Sequence, residues 1–369
     1  MTNQELYQLR LNRIKKAIKL EKPDKTPFIP MGDAFFAKRA GVKLSEFVSN
    51  MEVSHKCLLD GVKWMGDCEA TPGGSYSIAK ITGTMFWSRI KLPGIELPDD
   101  TLFQIDEREL MSAEDYDKII NGGLEAFKGE YFASKLNVDF SFFDEMAEKG
   151  PVMDQAMRDA GYPEYVNLLV SLPIDYLSGG RTLSKFLSDV RKMPEKVTEV
   201  MDIILDANIK EMKNMAGMVI DPIDVFIAMG RGCPDFYHPK IWEKFVWKYL
   251  EKAVNACIDI GLPANLHIDS NWERGLPYMA GFPKATCIFE TDGVTDTYKV
   301  KEILGDKMCI KGDVQAAKLM LADPDEIYKY SCQLIRDMEP GFILCSGCSI
   351  PPNAKPENVM AMVHAASGK

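Results

Sequence analysis

From residue 184 onward, short apolar runs alternate with amphipathic stretches in a regular order, and few folds accommodate that alternation. Residues 194–216 place Val197, Val200, Met201, Ile204, Ile209 and Met212 on one side of a helix. Met218-Val-Ile-Asp-Pro reads as the strand that follows it. Residues 239–260 predict a second long helix, opened by a proline in its first turn. Residues 263–269, 285–290, 308–312 and 341–345 read as strands, with helices at 297–304, 323–338 and 358–366. Strand, crossover helix, strand at this spacing builds a parallel sheet. Each apolar run ends in a polar or glycine-containing loop, which fits a (β/α)8 TIM barrel with its site at the strand C-termini. A doubly wound sheet is the alternative. Neither Gly-x-Gly-x-x-Gly after an early strand nor Gly-x4-Gly-Lys-Ser/Thr occurs, so its usual nucleotide-binding versions lose support.

The first half is less regular. Residues 1–25 predict an N-terminal helix, with Leu6, Leu9, Ile14 and Ile18 at helical spacing between charges. It reads as a helix docked on its own domain, not as the apolar core of a signal peptide. Thr26-Pro-Phe-Ile-Pro-Met31 is a candidate first strand. Residues 71–110, rich in glycine, proline and β-branched residues, read as a hairpin-like insertion. We therefore expect one barrel domain over 1–369 with a helical extension and this insertion.

The chain carries 54 acidic against 44 basic residues, a net charge of −10, which argues against nucleic acid as the main ligand. No run of about 18 apolar residues is present, so no membrane span is expected. Nine scattered cysteines form no closely spaced even framework, and reduced thiols in a cytoplasm are expected.

Four histidines can be weighed singly. His55 and His364 fall in helical patterns, and His238 stands just before a helix. His267 differs: it ends a buried-type strand, and Asp269 follows at i+2, on the same side of the strand. Imidazole and carboxylate then project together into the barrel mouth, as metal ligands, an acid/base dyad or a structural ion pair. Cys345-Ser-Gly-Cys348 leaves the last strand at the same mouth. A single Cys-x-x-Cys is no zinc ribbon, but His267, Asp269 and Cys348 are all zinc-competent donors. Glu290, Asp292, Asp313, Asp33, Arg231 and Cys233 stand at other strand ends and make the mouth polar.

His267-Ile-Asp-Ser-Asn, Lys311-Gly-Asp-Val, Gly341-Phe-Ile-Leu-Cys-Ser-Gly-Cys348-Ser-Ile-Pro-Pro and Pro356-Glu-Asn-Val-Met-Ala-Met resemble the uroporphyrinogen decarboxylase superfamily. Cys233-Pro-Asp-Phe-Tyr-His-Pro adds to the likeness, which extends over about 185–369. The resemblance implies a (β/α)8 barrel. True decarboxylases of the family carry Arg-Gln-Ala-Gly-Arg after the first strand, where this chain has Met31-Gly-Asp-Ala-Phe-Phe-Ala-Lys. The likeness therefore leans to the corrinoid-dependent methyltransferase branch. Its coenzyme M-specific members bind zinc with His-x-Cys and a distant cysteine. Here Asp269 replaces the first of those cysteines.

A carboxylate oxygen leaves zinc a stronger Lewis acid than a second thiolate does. The resemblance thus implies transfer of a methyl group from a small O-methyl donor, an aryl methyl ether, to Co(I) of a corrinoid. Zinc would sit at His267, Asp269 and Cys348, with Glu290 as fourth ligand or proton donor. Phe140, Phe142, Phe143, Phe86 and Trp87 are candidates to line a ring pocket. The Asp-x-His-x-x-Gly signature of corrinoid modules is missing, so a separate cobalamin-carrying protein is expected to dock at the mouth. Homodimers are common for such barrels. A thiol acceptor of the coenzyme M type, a tetrapyrrole decarboxylase and a non-catalytic corrinoid- or tetrapyrrole-binding role stand as alternatives.

Overall fold

The computed structural model describes residues 1–71, 77–165 and 168–369. Two short strands, β1 (Arg89–Lys91) and β2 (Gln104–Asp106), pair antiparallel as a separate hairpin within the predicted insertion. Of that insertion, Pro72-Gly-Gly-Ser-Tyr lies outside the described residues. Five strands then form one parallel sheet in chain order. They are β3 (Val225–Met229), β4 (Ala264–Ile268), β5 (Cys287–Glu290), β6 (Cys309–Val314) and β7 (Phe342–Ser346).

Three further passages of the chain close the sheet into a barrel through isolated bridges. Phe28 bridges Leu344 of β7, Thr71 bridges Glu164, and Leu169 bridges Phe226 of β3. The Glu69 N–H donates to Phe28 O at 2.9 Å and completes the circuit. The first passage pairs so briefly because Pro27 and Pro30 have no N–H to give. It is left with Ile29 N donating to Leu344 O at 3.1 Å and Leu344 N donating to Pro27 O at 2.8 Å. The (β/α)8 barrel is thus present, regular on one side and minimal on the other.

The predicted strand at Met218-Val-Ile-Asp-Pro is not one. Met218 and Ile220 are exposed in a turn, and the strand begins at Val225, beyond the Asp221-Pro222 step. A strand of a parallel sheet is covered on both faces, and these residues have nothing to cover them. The helix predicted over 239–260 is continuous but passes through a π-turn at Glu243–Trp247.

Alternation along the strands separates two cores. Val225, Ile227 and Met229, with Phe289, Ile310, Phe342 and Leu344, join the large cluster shared with the surrounding helices. Ile288, Cys309 and Ile343, one residue out of step, join a second cluster. Tyr7, Leu11, Ile14, Ala17 and Ile18 of the N-terminal helix (Asn3–Ile18) belong to it, with Ile29, Ala70 and Tyr165. That helix therefore plugs the end of the barrel where the strands begin. Each aliphatic side chain so buried contributes roughly 1.5–3 kcal/mol. Buried Arg10 fixes the plug, donating to Gly161 O at 2.7 Å and Gly66 O at 2.9 Å. With one end filled, the interior opens only at the strand C-termini. No helix among the described residues is long and apolar enough to cross a membrane.

One buried carboxyl in the wall yields a test. Glu164 faces Asp154 of the helix Ser141–Asp159, and its Oε1 has no hydrogen-bond partner among the described residues. Burial, then the Asp154 charge, pushes Glu164 up to about 8. An unfolded glutamate titrates near 4.3, so the folded state holds the extra proton and stability falls as pH rises between these two values. Glu164→Gln should melt with the wild type near pH 4.5 and several degrees above it at pH 9, in thermal unfolding followed by circular dichroism. Equal melting at pH 9 contradicts the assignment.

Candidate metal centre

β4 ends just past His267, and Asp269 follows on the same side of the strand. β7 ends at Ser346, and the loop beyond it brings Cys348 back toward the barrel axis, with Ser346 Oγ donating to Cys348 O at 2.5 Å. His267, Asp269 and Cys348 each offer a ligand atom within 4.8 Å of the others, the one such group of three among the described residues. His267 is buried, and Asp269 and Cys348 are half-buried, so the cluster borders the open end of the interior.

The parallel register sets what lies beside it. His267 is directly opposite Glu290, and Glu290 is opposite Lys311. Paired residues on adjacent parallel strands point the same way, so imidazole, carboxylate and ammonium form a row across three strands. Glu290 Oε1 lies 3.1 Å from His267 Nδ1 and 2.8 Å from Lys311 Nζ. These are ion-pair contacts without hydrogen-bond alignment: His267 Nδ1 and both Glu290 oxygens are buried with no hydrogen-bond partner among the described residues. Lys311 donates to Tyr165 Oη at 2.5 Å from the far wall. Phe226 of β3 packs against His267, with ring centroids 5.2 Å apart and the rings tilted by 30°.

The charges follow from these contacts. Burial opposes a charged His267, yet contacts with Cys348 and Glu290 outweigh it and push the imidazole up to about 10. Burial also works against an ionised Glu290, but Lys311 and His267 bring it down to about 2. Asp269 is raised by burial, with His267 acting the other way. Asp175 accepts from Arg231 N at 3.1 Å, and burial pushes its carboxyl up to about 7. Asp33 is pushed by burial up to about 6.

Of the residues singled out in the sequence, His267, Asp269 and Cys348 come together, and Glu290 stands against the imidazole. Asp292 is occupied in bracing the loops, accepting from Ser270 N at 2.7 Å and Val294 N at 2.9 Å. Asp313 is buried near Tyr330, with 3.4 Å between Oδ2 and the hydroxyl. Arg231 reaches Glu107, beyond β2, at 3.0 Å. Cys233 donates to Asn271 O at 3.2 Å, and Cys345 is buried and pushed by burial up to about 12. None of these five joins the donor triad.

The aromatic pocket is not assembled as expected. Trp87 is a core residue packed on Phe127, Tyr131 and Tyr176. Phe142 belongs to a small cluster with Met51, Ile81 and Met153, while Phe140 and Phe143 are exposed. Lys311, Tyr165 and Phe226 went unread as site residues. A lysine inside a buried parallel strand was the available signal, since fully buried lysines are rare unless paired.

The three donors suit zinc: one nitrogen, one oxygen and one sulfur, three of the four ligands a tetrahedral zinc takes.

Residues 172–368 match the family model for uroporphyrinogen decarboxylase (URO-D). Among curated protein sequences none matches the chain. Among solved structures, a methyltransferase from Methanosarcina mazei superposes with a TM-score of 0.73 at 18% identity, covering 97% of this chain and 98% of that one. At that identity the likeness speaks to the fold, a TIM barrel spanning both chains. The family match takes in β3 to β7 and with them His267, Asp269, Glu290, Lys311 and Cys348, and by that match the chain belongs to the uroporphyrinogen decarboxylase family.

Proposed function

We propose that the protein moves a methyl group from an O-methyl donor, an aryl methyl ether, to the Co(I) of a separate corrinoid protein. The mixed nitrogen, oxygen and sulfur triad at the barrel mouth carries this reading. Family membership and the likeness to a solved methyltransferase support it. So does the lack of the arginine pattern that the tetrapyrrole decarboxylases keep after the first strand.

The reaction breaks a carbon–oxygen bond and forms a cobalt–carbon bond. Co(I) supplies the electron pair, and the departing oxygen takes a proton to leave as a phenol. The difficulty is the charge on that oxygen. Zinc held by His267, Asp269 and Cys348 would supply Lewis acidity there. With Asp269 and Cys348 ionised and His267 neutral, the protein contributes two negative charges, which balance the dication. Metal binding in this state displaces the proton that His267 holds.

Other residues of the mouth handle position and protons. Phe226 packs behind His267 and offers an apolar wall beside the donors. Asp175 Oδ1 accepts from Arg231 N, which leaves Oδ2 to hold the proton that burial favours. The plugged lower end bars entry from below, so donor and corrinoid share the open end. A corrinoid protein must therefore approach along the barrel axis from the strand C-termini.

Two results follow. Mass spectrometry of metal content should find about one zinc per chain in the wild type, lost in His267→Ala and in Cys348→Ala but kept in Cys345→Ala; retention in the first two removes the triad from the account. With a Co(I) corrinoid protein and a panel of methoxylated aromatics, the wild type should methylate the corrinoid, followed by visible absorption, while Asp269→Ala slows by about a hundredfold. Full turnover by metal-free protein would sink the proposal.

A further inference from the structure

We propose that Leu169, Phe226 and Ala228 form the seat for the ring of the methyl donor, and that Leu169 sets how large a ring fits. This inference deepens the methyl-transfer reading above and takes from it the class of the ligand, a small neutral aromatic.

The interior of such a barrel is ordinarily filled by its own side chains. Here one arc is not. Phe226 N donates to Leu168 O at 2.9 Å and Val170 N donates to Phe226 O at 3.0 Å, so Leu169 is the direct partner of Phe226 on the neighbouring passage. Partners on adjacent parallel strands point the same way, about 4.8 Å apart. Leu168 and Val170, on either side of Leu169, belong to the helix-packed core. Leu169 therefore faces inward with Phe226, and yet it is 38% exposed. Phe226 and Ala228 are half-buried, and none of the three joins a core cluster among the described residues.

Further round the same row the interior closes. Asn265, the partner of Phe226, and Ile288, the partner of Asn265, are both buried, Ile288 in the cluster of the N-terminal plug. The uncovered arc thus lies on the side of Leu169, Phe226 and Ala228, and it borders the metal donors. The Phe226 ring stands 5.2 Å from the His267 ring, and Ala228 is the direct neighbour of His267 on β3. Ala228 carries only a methyl group, which leaves room beside the imidazole. An aromatic ring suits this wall. It buries apolar area against Leu169 and packs offset or edge-on against Phe226. A charged group would lose its water and gain no polar partner from these three side chains.

The test is binding of phenol and of 2-naphthol to the full chain, treated with chelator and without corrinoid, by isothermal titration calorimetry. Wild type should bind phenol, and 2-naphthol about tenfold more weakly. Leu169→Ala removes a side chain that belongs to no core cluster, so it should melt with the wild type; it should bind 2-naphthol about tenfold more tightly than wild type does. Ala228→Leu fills the seat and should lower phenol affinity about tenfold or more. Leu169→Ala decides alone if Ala228→Leu does not fold. A wild type that binds no phenol, or an unchanged preference between the two probes in Leu169→Ala, overturns the inference. The two readings fail separately. Phenol binding with the Leu169 effect, in a protein that methylates no corrinoid, keeps the seat and removes the reaction. Methylation with the same ring preference in wild type and Leu169→Ala keeps the reaction and removes the seat.

Discussion

A closed parallel barrel forces directly paired residues of neighbouring strands to point the same way, and the candidate site depends on that constraint. Once β4, β5 and β6 are in register, His267, Glu290 and Lys311 must share the interior. A slip of one residue on any of these strands would turn its polar side chain into the helix-packed core. The apolar residues on alternate positions prevent the slip, because Leu266, Phe289 and Ile310 belong to that core and would be expelled into the interior. The packing that stabilises the sheet therefore also places the chemistry.

The N-terminal helix completes the arrangement. Its apolar face meets Ile288, Cys309 and Ile343 inside the barrel, so the lower interior is filled with apolar side chains. Polar groups above it face a low dielectric on one side and the mouth on the other. That asymmetry explains why burial raises Asp33, Asp175 and Asp269, whereas Glu290, with Lys311 and His267 beside it, goes the other way. Where cations stand against a carboxylate they hold its titration down; where burial dominates, it is raised.

Much of the second half was legible in the sequence because its strands are continuous apolar runs between amphipathic helices. His267 and Asp269 were legible as a pair because the strand period is two, and Cys348 because it closes the last strand. Lys311 was not, since its partner depends on cross-strand register, which no single strand encodes. Tyr165 was harder still: its passage pairs through isolated bridges beside Pro163 and shows no strand period. The same weakness blurred the first three passages of the barrel, where prolines replace hydrogen-bond donors. Met218-Val-Ile-Asp-Pro misled because an apolar run before Asp-Pro looks like a strand end, although Met218 and Ile220 are exposed and only Val219 packs on the core. The aromatic residues misled because sequence gives composition without depth, and Trp87 lies in the core among Phe127, Tyr131 and Tyr176.

The central claim is that one histidine, one carboxylate and one thiolate hold a catalytic zinc with a position to spare. X-ray absorption at the zinc edge of the metal-loaded protein tests it most directly. The account predicts a single sulfur at about 2.3 Å with nitrogen and oxygen ligands at about 2.0–2.2 Å, and a light-atom neighbour that changes when an exogenous ligand is added. A shell of several sulfurs, or one with no sulfur, would contradict it.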